Sequence, residues 1–347
     1  MGERVDISLL HAPLMISWQL TRECDLACLH CCTDSGPGQA MPGELCREEA
    51  LSLAADIAEF GVPYVMLCGG EPLLSPHFFD VAEKLGESGI QLKVETNGQR
   101  FTVESARRLA ALPIRSIQVS LDGETDGAYR SLRPGASLSA AQAACRFVRE
   151  AGMPLEVTFA PTRENLCEAS AVIDRALALG AFRFNTGMLM RVGSAAGYWD
   201  RLVPNAEQYE EFFSMLEARS LELAGRIELC FKPRSLDEAM ALQLRQPPAV
   251  LLVRPDGLVH LSASMPFVCA DLRTQPLSRA WHAYIAGWER IRNMQHARSV
   301  LPSESSRAAC GADPRKGDRD VLAEASASVG VLDRETGSEA VVGAVVR

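Results

Sequence analysis

Three cysteines near the start of the chain have the spacing of ligands to an iron–sulfur cluster. Cys24, Cys28 and Cys31 stand in the pattern Cys-x3-Cys-x2-Cys. Three thiolates so spaced fit around an iron–sulfur cube and leave one of its irons without a protein ligand. An iron without a protein ligand is open to chemistry, whereas a cluster with four Cys ligands serves mainly in electron storage or transfer. The triad therefore predicts a catalytic cluster.

Two other uses of cysteine fit the sequence less well. Structural zinc sites usually combine paired Cys-x2-Cys knuckles into four ligands, and no second knuckle follows Cys31. A secreted disulfide framework is disfavoured by the length of the chain, by the odd count of 11 cysteines and by the lack of a signal peptide. Cys32 is expected not to be a ligand, because an adjacent cysteine cannot readily reach the same face of the cluster. Small buried apolar side chains are expected at the remaining scattered cysteines Cys46, Cys145, Cys167 and Cys230.

Length and composition agree with an ordinary globular enzyme. The 347 residues can bury a large core and hold one large domain with a smaller one. A hydrophobic content of 47% and a charged content of 23% are typical of soluble globular proteins. No run approaches the roughly 18 apolar residues of a membrane span, and the net charge of −9 disfavours nucleic acid. Free cysteines and an oxygen-sensitive cluster point to the reducing cytoplasm.

The elements that must position the triad alternate regularly along the chain. Strands are predicted at 15–20, 64–68, 92–95, 116–121, 155–159 and 182–185, and helices at 47–60, 78–88, 103–112, 137–151 and 166–179. This alternation indicates parallel βαβ units. Six of them predict an α/β fold, a partial (β/α)6 barrel of the TIM type that is open on one side. In such barrels the loops after the strands carry the site, and the glycine-rich and polar segments of this sequence stand there.

The cysteine pattern, with the aromatic-type residue His30 before the third Cys, resembles the signature of the radical S-adenosylmethionine (SAM) superfamily. The resemblance covers roughly residues 14–290 and implies one [4Fe-4S] cluster and bound SAM. It assigns Gly69, Gly70, Glu71 and Pro72 to the amino group of the methionine moiety of SAM. A plain strand-to-helix turn would also explain this Gly-Gly-x-Pro segment.

Polar residues after later strands resemble further SAM contacts. Ser120 and Asp122 look like the positions that hold the ribose or carboxylate, although Asp-Gly is also a common turn pair. Asn97 resembles a SAM-contacting asparagine. Arg133 is a candidate partner for the SAM carboxylate or for a negatively charged substrate. Asn165 and the stretch 188–193 resemble the adenine and methionine contacts of related enzymes. This stretch includes Met188, Arg191 and Gly193.

The pattern changes after about residue 235. A β-hairpin is predicted at 250–261 around an Asp-Gly turn, followed by a helix from 277 to 291. This resembles the twitch or SPASM extension of radical SAM enzymes, in which a Cys after the hairpin helps to hold an auxiliary cluster. Here the segment reads Leu261-Ser262-Ala263-Ser264 and contains no cysteine. The two single cysteines Cys269 and Cys310 are too few to hold an ordinary four-ligand cluster. We therefore expect a degenerate extension without iron. The expected division is 1–13 lead-in, 14–225 barrel, 235–300 extension and 302–347 disordered tail.

The resemblance implies a mechanism but not a substrate. One-electron reduction, by a donor such as flavodoxin or ferredoxin, would cleave SAM to a 5′-deoxyadenosyl radical that abstracts hydrogen from a substrate C–H bond. Because the first strand begins early in the sequence, we expect no separate N-terminal peptide-recognition domain. With the missing auxiliary clusters, this favours a small polar metabolite, such as a sugar, nucleoside or amino-sugar of specialised biosynthesis. Decarboxylation, deamination, epimerisation and dehydrogenation stay open, with Cys68 and Tyr129 as conceivable hydrogen donors. The alternatives are maturation of a ribosomally made peptide and a non-catalytic iron–sulfur or zinc scaffold.

Overall fold

The structure, a computed structural model, describes residues 6–231 and 233–293. Strands in these residues are β1 Met15–Gln19, β2 Tyr64–Cys68, β3 Gln91–Thr96, β4 Ile114–Ser120, β5 Leu155–Thr158, β6 Arg183–Asn185, β7 Glu228–Cys230, β8 Val250–Val253, β9 Leu258–His260 and β10 Val268–Asp271. They form one sheet in the order β10-β9-β8-β1-β2-β3-β4-β5-β6-β7.

Eight neighbouring strands of this sheet, from β8 through β1 to β7, run parallel. Only β9 and β10 are antiparallel to their neighbours. Within the described residues β7 ends the sheet and does not pair with β8, so the barrel is open on one side. The predicted α/β partial barrel is therefore confirmed, with β7 and β8 as additional parallel strands.

The two faces of the sheet differ sharply in polarity, because successive side chains of a strand point to opposite sides. On the outer face, nine side chains are fully buried: Val65, Leu67, Leu92, Val94, Ile117, Val119, Leu155, Val157 and Phe184. The inner face carries the polar residues that alternate with them, among them Lys93, Glu95, Gln118, Glu156 and Asn185. The apolar face packs against the helices, and the polar side chains lie on the opposite face of the sheet.

Helices in the described residues are α1 Arg47–Glu59, α2 Phe78–Glu87, α3 Val103–Ala110, α4 Asp126–Leu132, α5 Leu138–Glu150, α6 Ala169–Ala178, α7 Ser194–Gly197, α8 Trp199–Leu202, α9 Ala206–Glu222, α10 Leu236–Arg245 and α11 Leu277–Asn293. The predicted helices correspond to α1, α2, α3, α5 and α6, within a few residues at their ends. Helix α4 was missed because its Asp126-Gly127 pair is typical of a turn. The Thr125 side chain nevertheless starts it by accepting a hydrogen bond from the Ala128 N–H. None of the described helices is long and apolar enough to cross a bilayer.

The C-terminal strands continue the barrel sheet. Strand β8 pairs with β1 in parallel, with Leu252 opposite Ser17. A turn with Gly257 at φ +83° leads to β9, and α11 buries Trp281 and Trp288. The division into a barrel at 14–225 and an extension at 235–300 stays a proposal. The predicted tail at 302–347, with Cys310, lies outside the described residues.

One arginine connects the extension to the barrel. Arg273 Nε donates to Glu49 Oε1 over 3.0 Å, and Nη2 donates to the Gly43 carbonyl over 2.7 Å. The hydrogen bonds from Arg273 lower the pKa of Glu49 to about 2, and the hydrogen bond from the Cys46 N–H makes the second-largest contribution. Glu49 lies at the start of α1, so the contact joins the loop after β10 to the first barrel helix.

Replacing Arg273 is expected to lower the free energy of unfolding modestly. Because the ion pair is solvent-screened, Arg273→Ala should cost about 0.5–1 kcal/mol at pH 7. The depressed pKa of Glu49 stabilises the fold above its usual value of 4.5, and this contribution fades as pH falls toward 2. Urea unfolding should therefore show a smaller difference from wild type at pH 3 than at pH 7. Arg279→Ala, at an exposed position on α11, is the control. An equal loss in both variants would contradict the contact.

Candidate active site

The cysteine triad lies in the loop between β1 and α1, at the carboxyl end of the first strand. Each sulfur has a hydrogen-bonding partner. Asn97 Nδ2 donates to Cys24 Sγ over 3.6 Å, and Arg133 Nη1 donates to Cys28 Sγ over 3.5 Å. The Ser35 N–H donates to Cys31 Sγ over 3.4 Å. These donors favour the thiolate, the form in which cysteine binds iron.

The surroundings of the thiols fit a cluster. Burial raises the pKa of Cys24 to about 12, and it raises that of Cys28 although Arg133 opposes this. Since metal binding replaces the proton, donors at the sulfurs help to offset the cost of the buried thiolates. Among the described residues, no three His, Cys, Asp or Glu side chains are grouped to hold a single metal ion. A cluster needs a different arrangement, because each thiolate binds its own iron.

The other cysteines are less uniform than expected. The prediction of burial is wrong for Cys46 and Cys167, which are exposed, while Cys145 is buried and Cys230 is half-buried. Cys46 precedes α1 as its N-cap, and Cys167 lies in a short 3-10 turn before α6. Cap and turn positions face solvent, which helical periodicity did not indicate. Cys32 is exposed, and its role as a non-ligand stays a prediction.

Gly69 and Gly70 bring the end of β2 against the cysteine loop. A Cβ at Gly69 would lie 2.6 Å from the Thr21 carbonyl oxygen, and one at Gly70 would lie 2.3 Å from that of Glu23. The Gly70 N–H donates to the Thr21 carbonyl over 2.7 Å. The expected close approach is therefore made to the chain's own backbone. Within the described residues no backbone N–H outside the helices and strands donates to the carbonyls of Gly69 and Gly70.

Glu71 is enclosed and connects this turn to β3. It has no exposed surface, and it accepts hydrogen bonds from Thr96 Oγ1 over 2.8 Å and from the Asn97 N–H over 2.9 Å. Burial raises its pKa to about 7 despite these donors. Pro72 follows as the first residue of a 3-10 turn. Glu71 thus holds Asn97, which itself donates to Cys24, and its direct contact with SAM stays a prediction.

Three groups contact the Asp122 carboxylate near the cysteine loop. Its Oδ2 lies 3.0 Å from His30 Nε2 and accepts from Arg133 Nε over 2.6 Å, while Oδ1 accepts from the Ala160 N–H over 2.7 Å. Burial alone would raise the pKa of Asp122, but Arg133 and His30 more than offset this and hold it well below its usual range. The carboxylate has no exposed surface. It therefore orients Arg133 and His30, and its direct contact with the ribose or carboxylate of SAM stays a prediction.

Asn165 is also a supporting residue. Its Nδ2 donates to the Asp122 and Ala160 carbonyls over 2.9 and 3.0 Å, and its Oδ1 accepts from the Thr162 N–H over 2.7 Å. It has no exposed surface and braces the ends of β4 and β5, while its contact with the adenine or methionine part of SAM stays a prediction. Ser120 is half-buried on the inner face, and Met188 is half-buried against the core.

The two conceivable hydrogen donors differ in position. Tyr129 is fully buried, and its hydroxyl donates to the Ser120 carbonyl over 3.2 Å, which makes it a core residue. Cys68 Sγ lies on the inner face, 3.6 Å from Ser17 Oγ.

The sequence placed Gly193 in a stretch that resembles SAM contacts, but its packing on the cysteine loop was missed. Gly193, at φ +58°, packs so closely on the cysteine loop that a Cβ would lie 2.5 Å from the Cys31 carbonyl oxygen. The polar network of the inner face was also missed: Lys93 Nζ donates to Gln118 Oε1 over 2.9 Å and to Glu156 Oε2 over 3.0 Å. Polar residues alternating with buried apolar ones in β3, β4 and β5 were the available signal.

A side chain at Gly70 is expected to displace the cysteine loop. Gly70→Ala should lower the free energy of unfolding by about 1–3 kcal/mol, because its Cβ overlaps backbone atoms that cannot move freely. Gly127→Ala is the control, since a Cβ there meets nothing within 4 Å and alanine favours the helix. Urea unfolding of both variants checks this. Equal stability of the two would contradict the close approach.

Arg133 is expected to stabilise the fold mainly by neutralising Asp122. Arg133→Gln leaves a buried carboxylate without its cation and should cost about 3–5 kcal/mol. Adding Asp122→Asn should restore a large part of this loss, because the uncompensated charge is then absent. Chemical denaturation of the metal-free protein measures both variants. Additive losses in the double variant would show that the pair is not coupled.

Comparison with known proteins identifies the family of one domain of the chain. Residues 18–176 match the model of the radical SAM superfamily. The chain is 27% identical over 299 residues to the AdoMet-dependent heme synthase of Methanosarcina barkeri, covering 79% of this chain and 84% of that protein. It is 32% identical over 214 residues to the mycofactocin maturase MftC of Mycobacterium ulcerans. That alignment covers 60% of this chain and spans 56% of the maturase.

Solved structures share the fold at low sequence identity. SuiB of Streptococcus suis bound to S-adenosylmethionine matches with a TM-score of 0.67 at 14% identity, covering 87% of this chain and 73% of that chain. Native anSMEcpe with bound AdoMet matches with a TM-score of 0.58 at 14% identity, covering 83% and 88%. These likenesses show the fold, and the family match shows that residues 18–176 are a radical SAM domain, of the superfamily whose enzymes use a [4Fe-4S] cluster and S-adenosylmethionine.

Proposed function

We propose that Cys24, Cys28 and Cys31 hold one [4Fe-4S] cluster, and that the enzyme acts on a C–H bond of a small metabolite with polar groups. The donor at each of the three sulfurs is the observation that carries the ligand assignment. When bound, the cluster and SAM supply one-electron cleavage and a radical that can remove hydrogen from an unactivated carbon. The protein must hold these groups, orient the substrate and exclude solvent.

The residues left available around the triad define the SAM side of the site. The carbonyls of Gly69 and Gly70 offer acceptors to the amino group, and the Ser120 hydroxyl offers a polar contact on the inner face. Arg133 lies beside Cys28, and its positive charge suits the SAM carboxylate. Asp122 hydrogen bonds to Arg133 and so fixes the direction of the guanidinium group.

The inner face supports a substrate with polar groups. Asn185 Nδ2 donates to Glu156 Oε2 over 2.7 Å and to Gln118 Oε1 over 2.9 Å, next to the contacts of Lys93. Burial raises the pKa of Glu95, which accepts from Gln118 Nε2 over 2.8 Å. Hydroxyl, amine or carboxylate groups of a metabolite can exchange with members of this network. The open side between β7 and β8 gives such a substrate access.

A ribosomally made peptide is the second candidate substrate. The alignment with a mycofactocin maturase over 60% of this chain favours it, whereas the longer alignment with a heme synthase favours a non-peptide substrate. In either case a one-electron donor such as flavodoxin or ferredoxin would be required. We place the reaction in the cytoplasm, because the ten cysteines of the described residues are all free.

The ligand assignment predicts different behaviour for two adjacent cysteines. After anaerobic reconstitution with iron and sulfide, wild type and Cys32→Ala should bind about four irons per chain. Reduced with dithionite and given SAM, both should form 5′-deoxyadenosine. Cys31→Ala should lose at least about ten-fold in iron and in product, because one iron lacks its thiolate. Iron analysis and mass spectrometry measure these quantities.

The outcomes separate the alternatives. Equal losses in Cys31→Ala and Cys32→Ala would contradict the ligand set, and an intact cluster without 5′-deoxyadenosine would contradict the catalytic function. Adding sugars, nucleosides, iron porphyrins and precursor peptides in turn then tests the substrate. If 5′-deoxyadenosine formation were stimulated by a peptide and by none of the other compounds, the metabolite proposal would be overturned.

A further inference from the structure

An apolar cavity of about 280 Å³ lies among the C-terminal elements of the fold. Helix α10 forms one wall and strand β8 another, while Met190 and the loop after β9 complete it. The apolar lining side chains are Met190, Leu236, Met240, Val250, Leu252 and Leu261. Nothing in the proposed chemistry so far uses this cavity.

The cavity opens on the same side of the sheet as the site. Leu251 and Val253 are buried on the outer face, so Val250 and Leu252 point to the inner face. Leu252 pairs in register with Ser17 of β1. Ser17 Oγ lies 3.6 Å from Cys68 Sγ on that face. A continuous surface therefore runs from the cavity across β1 to β2, whose end packs against the cysteine loop.

A second connection runs through the segment after β6. Met190 lines the cavity, and Gly193, three residues later, packs against the Cys31 carbonyl. The Ser194 hydroxyl also donates to Asp34 Oδ1 over 3.1 Å. One short segment thus contacts both the cavity and the cysteine loop, which places the cavity at the edge of the site.

The polar residues of the cavity bind one another. Ser262 Oγ donates to Gln243 Oε1 over 3.2 Å and lies 3.1 Å from Ser264 Oγ. Because these groups already have hydrogen-bonding partners, a ligand in the cavity does not need to supply polar groups for them. The cavity therefore suits an apolar group, which gains by leaving water.

We propose that this cavity binds an aromatic or branched aliphatic group of the substrate whose polar groups face Lys93 and Gln118. This inference rests on the proposed function and narrows its substrate class to amphiphilic metabolites. A volume of about 280 Å³ accommodates one or two fused rings. A purely polar sugar leaves the cavity unfilled.

Two alanines of α10 allow a matched test. Ala239 lines the cavity, whereas Ala241, two residues later, is exposed and does not. Indole serves as the apolar probe, and its binding is measured by saturation-transfer NMR on the reconstituted enzyme. Ala239→Phe should fill the cavity and weaken indole binding at least about ten-fold, while Ala241→Phe should match wild type. Ala241→Phe should also form 5′-deoxyadenosine from SAM at the wild-type rate when no substrate is added.

The result can overturn the inference independently of the proposed function. Equal indole binding by all three proteins, or no binding by wild type, would refute the cavity's role. Loss of 5′-deoxyadenosine formation in wild type would instead refute the proposed function and leave the indole result standing. If Ala239→Phe does not fold, judged by circular dichroism, Ala263→Phe fills the same cavity from the loop after β9.

Discussion

The buried carboxylate of Asp122 is the interaction on which the arrangement of the site depends. It has no exposed surface, and it receives His30 from the cysteine loop and Arg133 from the end of α4. A buried charge is tolerated only where it is paired and hydrogen-bonded. The two segments that carry these partners are therefore fixed relative to the end of β4. Since Arg133 also donates to Cys28, the same pairing sets the position of one sulfur.

The other sulfurs are positioned by backbone packing more than by charge. The absence of side chains at Gly69 and Gly70 lets the end of β2 lie directly against residues 21–23, immediately before Cys24. Gly193 does the same for the segment after Cys31. Glycines in the loop after β2 and in the loop after β6 thus pack against the cysteine loop from both sides. The loop is held by contacts that any added Cβ would disrupt.

Much of this architecture could be predicted from the sequence because its signals are local. The alternation of apolar strands with helices, and the glycines and polar residues after the strands, depend only on neighbours along the chain. The partners of Asp122 and Asn165 could not be predicted, because a polar residue after a strand can face a ligand or the protein itself. That choice is made by segments far away in sequence, such as the Ala160 N–H that binds Asp122. The exposed positions of Cys46 and Cys167 likewise depend on a cap and a turn.

The division of the inner face into a polar and an apolar region has consequences for substrate binding. The polar network is already satisfied internally, since Lys93 and Asn185 both donate to Gln118 and Glu156. A polar substrate group must therefore exchange one hydrogen bond for another, which yields little net affinity but penalises a group of the wrong geometry. The cavity lined by Leu252 and Met240 acts in the opposite way. An apolar group that enters it gains by leaving water, at roughly 25 cal/mol per Å² of buried surface, and needs no defined orientation. Affinity would then come from the apolar end of the substrate, while the choice of the reacting carbon would come from the polar end.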